Sequence, residues 1–367
     1  MREQAIRSNV FFPGDKMKQV LIAAGLLLAL SQTCGAQASL AHWVVQPPAH
    51  GVYIGVYGGP RSNEGSCEGV SRAVGKPVQL CDTYYSIQTL TRIVSDPRYG
   101  RVADAGSINV ATLGCRSVSY SDIAGGRLDG ALQQDAAALK AYASRYPRDP
   151  WIMVRLFHEF NMNVNNPRGN PNGNNCFSGG SLSDMQNEFI QAWRHVVSYF
   201  ASQGVTNVTW VWCPATGPQA RRKEGGLDMI QGFYPGSDYV DWTCADTYDK
   251  APQGGGFANA FQDLDFFNQF HKPLMIGETG ECNTQSRFGR CAGYAHSQSE
   301  FISDVERALQ PGGTLYNDDV KAWVYFDQQV ERSGYDWSFD QGGLAAFKAM
   351  LDNPYFYPPL PHPKLED

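Results

Sequence analysis

"RLFHEFN", residues Arg155 to Asn161, follows the apolar residues "WIMV" and ends in a His-Glu pair. A carboxylate inside a buried strand is costly unless another group pairs with it. The mouth of an α/β barrel, where a parallel strand leaves the barrel wall, accepts such a residue. The stretch therefore predicts a barrel strand that delivers His158 and Glu159 to an opening.

The rest of the chain supports this interpretation, because short β-type runs alternate with helix-type segments from residue 51 to residue 352. Candidate strands begin near residues 52, 77, 107, 151, 207, 239, 273 and 320. Apolar residues recur at helical spacing over 128–146, 181–204, 298–309 and 342–351. The pattern predicts the α/β class and a single-domain (β/α)8 TIM barrel. A doubly wound open sheet is the alternative, but "YGGPRSNEG" (57–65) is not its G-x-G-x-x-G turn.

Composition excludes some classes of function. The 367 residues carry a formal net charge of −6 without a basic cluster, which argues against nucleic-acid binding. Aromatic residues make up 12% of the chain and would suit a site that stacks on sugar rings. For most of them we favour packing in the core.

The N-terminus predicts export. Lys16 and Lys18 precede the apolar run 20–30, and the small-x-small sequence "AQA" (36–38) precedes Ser39. We expect a signal peptide over residues 1–38, with Met17 as an alternative start, and a catalytic barrel domain over 39–367. The mature protein would be secreted, extracellular or periplasmic, with no membrane association after cleavage.

Cysteines after residue 38 point to disulfides. They are eight in number, and an even count in an exported chain favours pairing. We expect the local pairs Cys67–Cys81 and Cys282–Cys291. The sequence contains no C-x-x-C, and its histidines do not cluster with its cysteines, so we expect no metal and no cofactor.

A second carboxylate matches the first. Glu278, in "KPLMIGETG" (272–280), ends the predicted seventh strand as Glu159 ends the fourth. Two carboxylates across a barrel mouth can hydrolyse a glycosidic bond, and a gap of about 5–5.5 Å gives retention of configuration. Arg155 and His158 could keep the protonation states of the two acids apart. A lone strand-end glutamate is usually solvated or ion-paired, whereas the pair favours catalysis.

These segments resemble glycoside hydrolase family 26. The resemblance rests on "WIMVRLFHEFN" (151–161), "VTWVWCPA" (208–215), "FYPGSDYVDWTCADTYD" (233–249) and "KPLMIGETG" (272–280), and it covers most of residues 51 to 345. That family contains mainly β-mannanases, with some β-1,3-xylanases and mixed-linkage β-glucanases. Its clan consists of retaining (β/α)8 enzymes whose acid/base and nucleophile follow strands four and seven.

The resemblance implies roles for individual residues. Glu159 would be the acid/base and Glu278 the nucleophile. His158 would contact the sugar or the carboxylates, and Tyr248 would hydrogen-bond the nucleophile.

Three further residues are candidates for substrate binding. The resemblance implies that Trp323 forms the floor of the cleaved-sugar subsite and that Trp212 lines the cleft. For Trp212, core packing is an equal alternative. Arg155 would bind near the substrate or serve as a buried ion-pair partner.

The family pattern is not followed everywhere. Phe160 and Met162 replace a usual methionine and glycine, and Ala215 stands where asparagine usually follows Pro214. The resemblance implies that these positions lie at sugar subsites. The Asn-, Gly- and Pro-rich stretch 163–180 and the stretch 251–257 would form loops at the same rim.

We therefore expect a monomeric, secreted endo-β-glycanase that acts on a polysaccharide, β-1,4-mannan in the first place. A β-1,3-xylan or mixed-linkage β-glucan hydrolase is the enzymatic alternative. A catalytically silent polysaccharide-binding barrel is the alternative outside enzymes.

Overall fold

The structure is a computed structural model. It describes residues 42–58, 66–115, 118–148, 150–162, 164, 176–217, 226–248, 256–287, 289–316, 319–330 and 332–361. The predicted signal peptide 1–38 lies outside them, so the division of the chain at residue 38 stays a prediction. Residues 163, 165–175 and 251–255 of the two predicted rim loops also lie outside.

The sheet is a closed barrel of eight parallel strands in chain order, and β1 pairs with β8 to close it. The strands are β1 Tyr53–Gly58, β2 Leu80–Ser86, β3 Ile108–Gly114, β4 Ile152–Leu156, β5 Val208–Trp212, β6 Trp242–Asp246, β7 Leu274–Thr279 and β8 Val320–Asp327. Each contains part of a run predicted from the sequence, so the (β/α)8 prediction is confirmed. A short antiparallel hairpin, β9 Gln329–Val330 and β10 Tyr335–Asp336, follows β8.

Helices connect the strands on the outside. They are α1 Cys67–Val74, α2 Arg92–Ser95, α3 Pro97–Asp104, α4 Tyr120–Ala124, α5 Asp129–Arg145, α6 Leu182–Ser202, α7 Gly226–Gln231, α8 Gly256–Ala260, α9 Gln298–Leu309 and α10 Gln341–Asp352. Short 3₁₀ helices span Ser237–Tyr239, Leu264–Phe270 and Pro354–Phe356. None of the described helices is both long and apolar enough to cross a bilayer.

Local sequence explains where the longest helix begins and ends. Ser181 and Asp184 form a capping box at the start of α6, each side chain accepting a backbone N–H of the other residue. The chain leaves the helix through Gly204, whose φ of +71° lies in the left-handed region that glycine enters most readily. One face of α6, with Phe189, Trp193 and Val196, is buried against the barrel.

Strand residues divide between two cores. Met153, Val211, Met275, Ala322 and Val324 belong to the cluster that fills the barrel interior. Residues next to them along the strands point outward into the larger cluster between strands and helices. This alternation decides which side chains can reach the mouth of the barrel.

Four disulfides use all eight cysteines after residue 38. Cys67–Cys81 and Cys282–Cys291 confirm the two predicted local pairs. Cys115–Cys176 links the end of β3 to the segment before α6, and Cys213–Cys244 links β6 to the residue after β5. The last pair lies in the barrel interior, directly below the candidate site.

Candidate active site

The end of β4 turns two successive polar side chains toward the mouth. Arg155 points into the barrel, while Leu156 and Phe157 both pack into the outer core. Two neighbours can share the outer side because Phe157 has a φ of 51°, which breaks the alternation of the strand. His158 then returns to the interior, with its ring 5.1 Å from that of Tyr84. Glu159 also has a φ of 51°.

The segment that follows β5 fixes this strained backbone. The N–H of Glu159 donates to the carbonyl oxygen of Cys213 at 2.8 Å. Two residues on, the buried Asn161 amide donates to the Ala215 carbonyl at 2.9 Å and accepts the Ala215 N–H at 2.9 Å. The backbone that carries Glu159 is therefore bonded at two points to the segment after β5.

A register shift turns Glu278 inward. Ala245 of β6 pairs with Ile276 of β7, but the next residue, Asp246, pairs with Glu278, so Gly277 is an extra residue on β7. A side chain at Gly277 would not fit, because its Cβ would lie 2.5 Å from the Cys244 sulfur and 2.9 Å from Arg155 Nε. The glycine of "IGETG" thus allows the bulge that aims the carboxylate.

Three donors hold the Glu278 carboxylate. The Arg155 guanidinium donates to Oε1 at 3.1 Å, and the Tyr84 hydroxyl also donates to Oε1. The Tyr248 hydroxyl donates to Oε2 at 3.1 Å, which is the contact that the family resemblance implied. His158 Nε2 lies 3.8 Å from Oε1. These contacts come from three strand ends and fix the plane of the carboxylate.

The two glutamates predicted to act together are close in space. One carboxylate oxygen from each of Glu159, Asp246 and Glu278 lies within 4.8 Å of the others. Such a trio could also bind a cation, but the Arg155 guanidinium already forms ion pairs with Asp246 and Glu278. The Cys213 and Cys244 sulfurs beside Asp246 are joined in a disulfide and are not free thiolates.

Charge below the site is balanced around one guanidinium. Arg155 is fully buried and pairs with Asp82 at 2.7 Å, with Asp246 and with Glu278. Burial raises the pKa of Asp82 to about 6, although Arg155 opposes the shift. Burial likewise raises the pKa of Asp246 well above its ordinary value. Burial of these two acids thus opposes the ionised forms that their ion pairs with Arg155 stabilise.

His158 is neutral in this setting. Burial, and then the positive charge of Arg155, hold the pKa of His158 well below its usual range. An uncharged imidazole beside Glu278 can offer a hydrogen bond without adding a second cation.

Aromatic rings surround the carboxylate pair. Tyr57 of β1 stacks on Phe326 of β8, with ring centroids 4.7 Å apart. Trp337 follows β10 and packs 4.8 Å from the ring of Tyr248. Tyr84 is 40% exposed, whereas Tyr57, Phe326 and Trp337 are almost fully buried. The opening above Glu278 is therefore bordered by Tyr84 more than by the other rings.

Both tryptophans proposed for substrate binding lie elsewhere. Trp323 is fully buried in the outer core, and its ring packs 6.1 Å from Phe347 of α10. Because Val324 next to it faces the interior, strand alternation sends Trp323 outward, and the prediction of a subsite floor is wrong. Trp212 is also fully buried in the outer core, against Phe160, Tyr234 and Phe270. Of the two interpretations of Trp212, packing in the core is therefore the correct one.

Arg155, which was also predicted to bind near the substrate, does not reach the opening. Its side chain is fully buried beneath Glu278, so it contacts the carboxylates and not the opening. The ion-pair alternative is therefore correct. A guanidinium that reaches three acids from different strands requires a position inside the barrel.

Sequence reasoning missed three residues of the site: Tyr84, Asp82 and Asp246. A signal for the first two was present, because Leu80, Asp82 and Tyr84 share one face of a strand by their period of two. An aspartate on the interior face of an apolar strand marks a polar barrel interior. Asp246 likewise ends the predicted sixth strand.

Comparison with known proteins agrees with this geometry. Residues 152–284, from the start of β4 to just beyond Glu278, match the sequence model of glycosyl hydrolase family 26. The resemblance of these segments to family 26 is confirmed over this region. It is also similar to Endoglucanase H of Acetivibrio thermocellus, with 26% identity over 317 residues and 82% of this chain covered. The chain spans 30% of the length of that relative.

Solved structures share the barrel fold. An endo-β-1,4-mannanase double mutant from Cellulomonas fimi has a TM-score of 0.58 and 18% identity, covering 83% of this chain and 72% of that chain. The GH26C protein of Muricauda sp. MAR_2010_75 has a TM-score of 0.57 and 17% identity, with 84% and 87% covered. At these identities the likeness establishes the fold of the chain and leaves its substrate open.

Proposed function

We propose that this protein is a secreted, retaining endo-β-glycanase of family 26, with Glu159 as acid/base and Glu278 as nucleophile. The observation that carries the proposal is the short gap between the two carboxylates, whose nearest oxygens lie within 4.8 Å of each other. Retaining enzymes need about 5–5.5 Å between their carboxyl groups, whereas inverting enzymes leave a wider gap for water.

The proposed reaction has two steps. An oxygen of Glu278 attacks the anomeric carbon while Glu159 gives its proton to the glycosidic oxygen, so the C–O bond to the leaving sugar breaks. Glu159, now a carboxylate, then takes a proton from water, and that water displaces Glu278 from the anomeric carbon. Two inversions leave the product with the original configuration. Tyr248 and Arg155 orient the nucleophile, and the neutral His158 lies beside it.

Polysaccharide is the proposed substrate, and β-1,4-mannan is the first candidate because mannanases prevail in the family that the sequence resembles. A β-glucan is the second candidate, favoured by the similarity to a relative named Endoglucanase H. Export is proposed from the apolar run 20–30 and from the four disulfides, which are typical of oxidising compartments.

The first experiment tests the two glutamates. Glu278→Ala should lower kcat on polysaccharide by several orders of magnitude. Glu159→Ala should lose about 10²–10⁴-fold on polysaccharide, the usual contribution of a general acid. It should lose much less on aryl glycosides with good leaving groups, because these need little proton donation. Azide should restore turnover of Glu159→Ala. Near-native activity of both variants would contradict the proposal.

The second experiment tests substrate and stereochemistry on the unaltered protein. Reducing-sugar release is measured on mannan, glucomannan, mixed-linkage β-glucan, β-1,3-xylan and carboxymethylcellulose. Release from mannan and glucomannan alone supports mannan, and release from mixed-linkage glucan supports the second candidate. NMR of the first product anomer should show retention. Binding to a glycan without release from any of the five would favour a silent binding barrel.

A further inference from the structure

Tyr84 occupies an unusual position among the residues around Glu278. It is 40% exposed, while Glu278 and His158 are each 4% exposed. Its hydroxyl donates to Glu278 Oε1, and its ring lies 4.5 Å from Tyr57 and 5.1 Å from His158. Tyr84 thus contacts the nucleophile and also faces the opening, to a greater extent than the partly buried Tyr248 does.

The barrel holds this tyrosine in place from below. Leu80 and Asp82 precede it on the same face of β2, and Asp82 is anchored by Arg155 and by the Thr112 hydroxyl at 2.8 Å. The backbone of Tyr84 pairs with Thr112 of β3. The ring is therefore set by a strand and not by a loop, which keeps the position of its hydroxyl tight.

We propose that Tyr84 is a catalytic residue of this site, which holds Glu278 from its open side and contacts the sugar bound at the cleaved position. The inference rests on the proposed function. Tyr248 holds Oε2 from β6 and Tyr84 holds Oε1 from β2, so the two phenols fix the carboxylate plane from opposite sides. Hydrogen bonds to an ionised carboxylate are stronger than neutral ones, and a nucleophile fixed near its attack position reacts faster.

No bond at Tyr84 is made or broken in the reaction. The phenol keeps its proton and donates a hydrogen bond to Glu278 before attack. When Glu278 forms its bond to the anomeric carbon, the carboxylate loses its negative charge and the hydrogen bond weakens. The exposed part of the ring is free to pack on the sugar throughout.

The test separates the hydroxyl from the ring. Tyr84→Phe keeps the ring, and we expect kcat to fall about tenfold or more, the effect of one hydrogen bond to a charged group. KM should change less than about twofold, since the aromatic contact remains. Tyr84→Ala removes both, so KM should also rise about two- to tenfold. Because Tyr84→Phe deletes one oxygen from a half-exposed side chain, its fold is not at risk.

The pH profile gives a readout that a purely structural role would not move. Loss of a donor to Glu278 disfavours its charged form, so the acidic limb of kcat/KM should move to higher pH in Tyr84→Phe. The other charged or titratable groups around Glu278 are Arg155, His158, Glu159, Asp246, Tyr248, Tyr57 and, through Arg155, Asp82. All of them are unchanged in the variant.

Tyr85→Phe is the matched control. Tyr85 follows Tyr84 but packs outward, with its ring 5.3 Å from that of Tyr99, so both kinetic constants should stay unchanged. Suppose that Glu278→Ala abolishes hydrolysis, while Tyr84→Phe keeps kcat within about twofold of the unaltered protein and leaves the acidic limb of kcat/KM in place. The proposed role of Tyr84 is then refuted. If the unaltered protein hydrolyses none of the glycans, the proposed function itself fails.

Discussion

Glu159 and Glu278 stand at corresponding places in the barrel, and different contacts stand out around each of them. Glu159 is fixed through its backbone, by its own N–H on Cys213 and by the Asn161 amide on Ala215. Glu278 is fixed through its side chain, by Arg155, Tyr84 and Tyr248. The difference suits the proposed roles, because a proton donor must accept and release a proton while a nucleophile must keep one orientation.

Both strands depart from regular geometry near their carboxylate. On β7 regular alternation would send Glu278 outward, and the extra Gly277 shifts the register so that its side chain faces the mouth. On β4 the left-handed Phe157 adds a second outward residue and brings His158 inside, and Glu159 is itself left-handed. Departures from regular strand geometry thus present polar side chains of both strands to the mouth.

The largest expected effect comes from removing the cation beneath Glu278. Arg155→Met leaves Asp82, Asp246 and Glu278 without their shared partner, so we expect a loss of about 3–5 kcal/mol in the free energy of unfolding. Urea denaturation measures it. Arg155→Lys keeps the charge but cannot reach all three acids. Its free energy of unfolding should therefore lie between those of the unaltered protein and Arg155→Met.

That loss should depend on pH. Burial raises the folded-state pKa of Asp82 above its unfolded value, and removal of Arg155 raises it further. A carboxyl of this kind destabilises the fold at high pH and ceases to do so as pH falls and it is protonated. The penalty of Arg155→Met should therefore shrink between pH 8 and pH 5. An equal penalty at both pH values would assign the loss to packing and not to charge.

The sequence predicted the barrel and both glutamates because these depend on local patterns. Strand runs, helix spacing and the position of an acid after an apolar run can all be recognised without knowing what packs against them. The prediction failed for Trp323, whose inward or outward direction depends on the phase of alternation within β8. A phase error of one residue moves a ring from the mouth to the outer core.

The partners of Glu278 could not be predicted in the same way. Tyr84 and Glu278 are separated by 194 positions along the chain, and their contact depends on how the strands are staggered around the barrel. The left-handed Phe157 and the bulge at Gly277 are likewise properties of the folded backbone. Tyr248 was predicted only through the family resemblance.

Breaking the backbone support should have a smaller and more selective effect than breaking the side-chain support. Asn161→Ala leaves the buried N–H and C=O of Ala215 without the Asn161 amide, at a cost of about 1–3 kcal/mol in the free energy of unfolding. Because Glu159 then loses a fixed position, turnover of polysaccharide should fall more than turnover of aryl glycosides with good leaving groups.

Asn161→Asp is the comparison variant, because its side chain still accepts the Ala215 N–H but has no N–H for the Ala215 carbonyl and buries a carboxylate. At neutral pH it should be no more stable than Asn161→Ala, and it should gain stability as the pH falls and the protonated carboxyl can donate to the Ala215 carbonyl. If turnover by Asn161→Ala falls by the same factor on polysaccharide and on aryl glycosides, Asn161 stabilises the protein without positioning Glu159. In that case the two carboxylates would not differ in the way they are held.

The smallest effect on activity is expected at a residue outside both supports. Trp323 lies on the outer face of β8 and packs against Phe347, so Trp323→Phe should lower the free energy of unfolding by about 1–2 kcal/mol through the smaller volume it fills. KM for the glycan should stay within about twofold of the unaltered value, since the ring does not reach the opening. The same change at Trp337, which packs on Tyr248, should lower kcat more than Trp323→Phe does. A strong rise in KM for Trp323→Phe would instead place this ring against the sugar, and would require β8 to present its opposite face to the mouth.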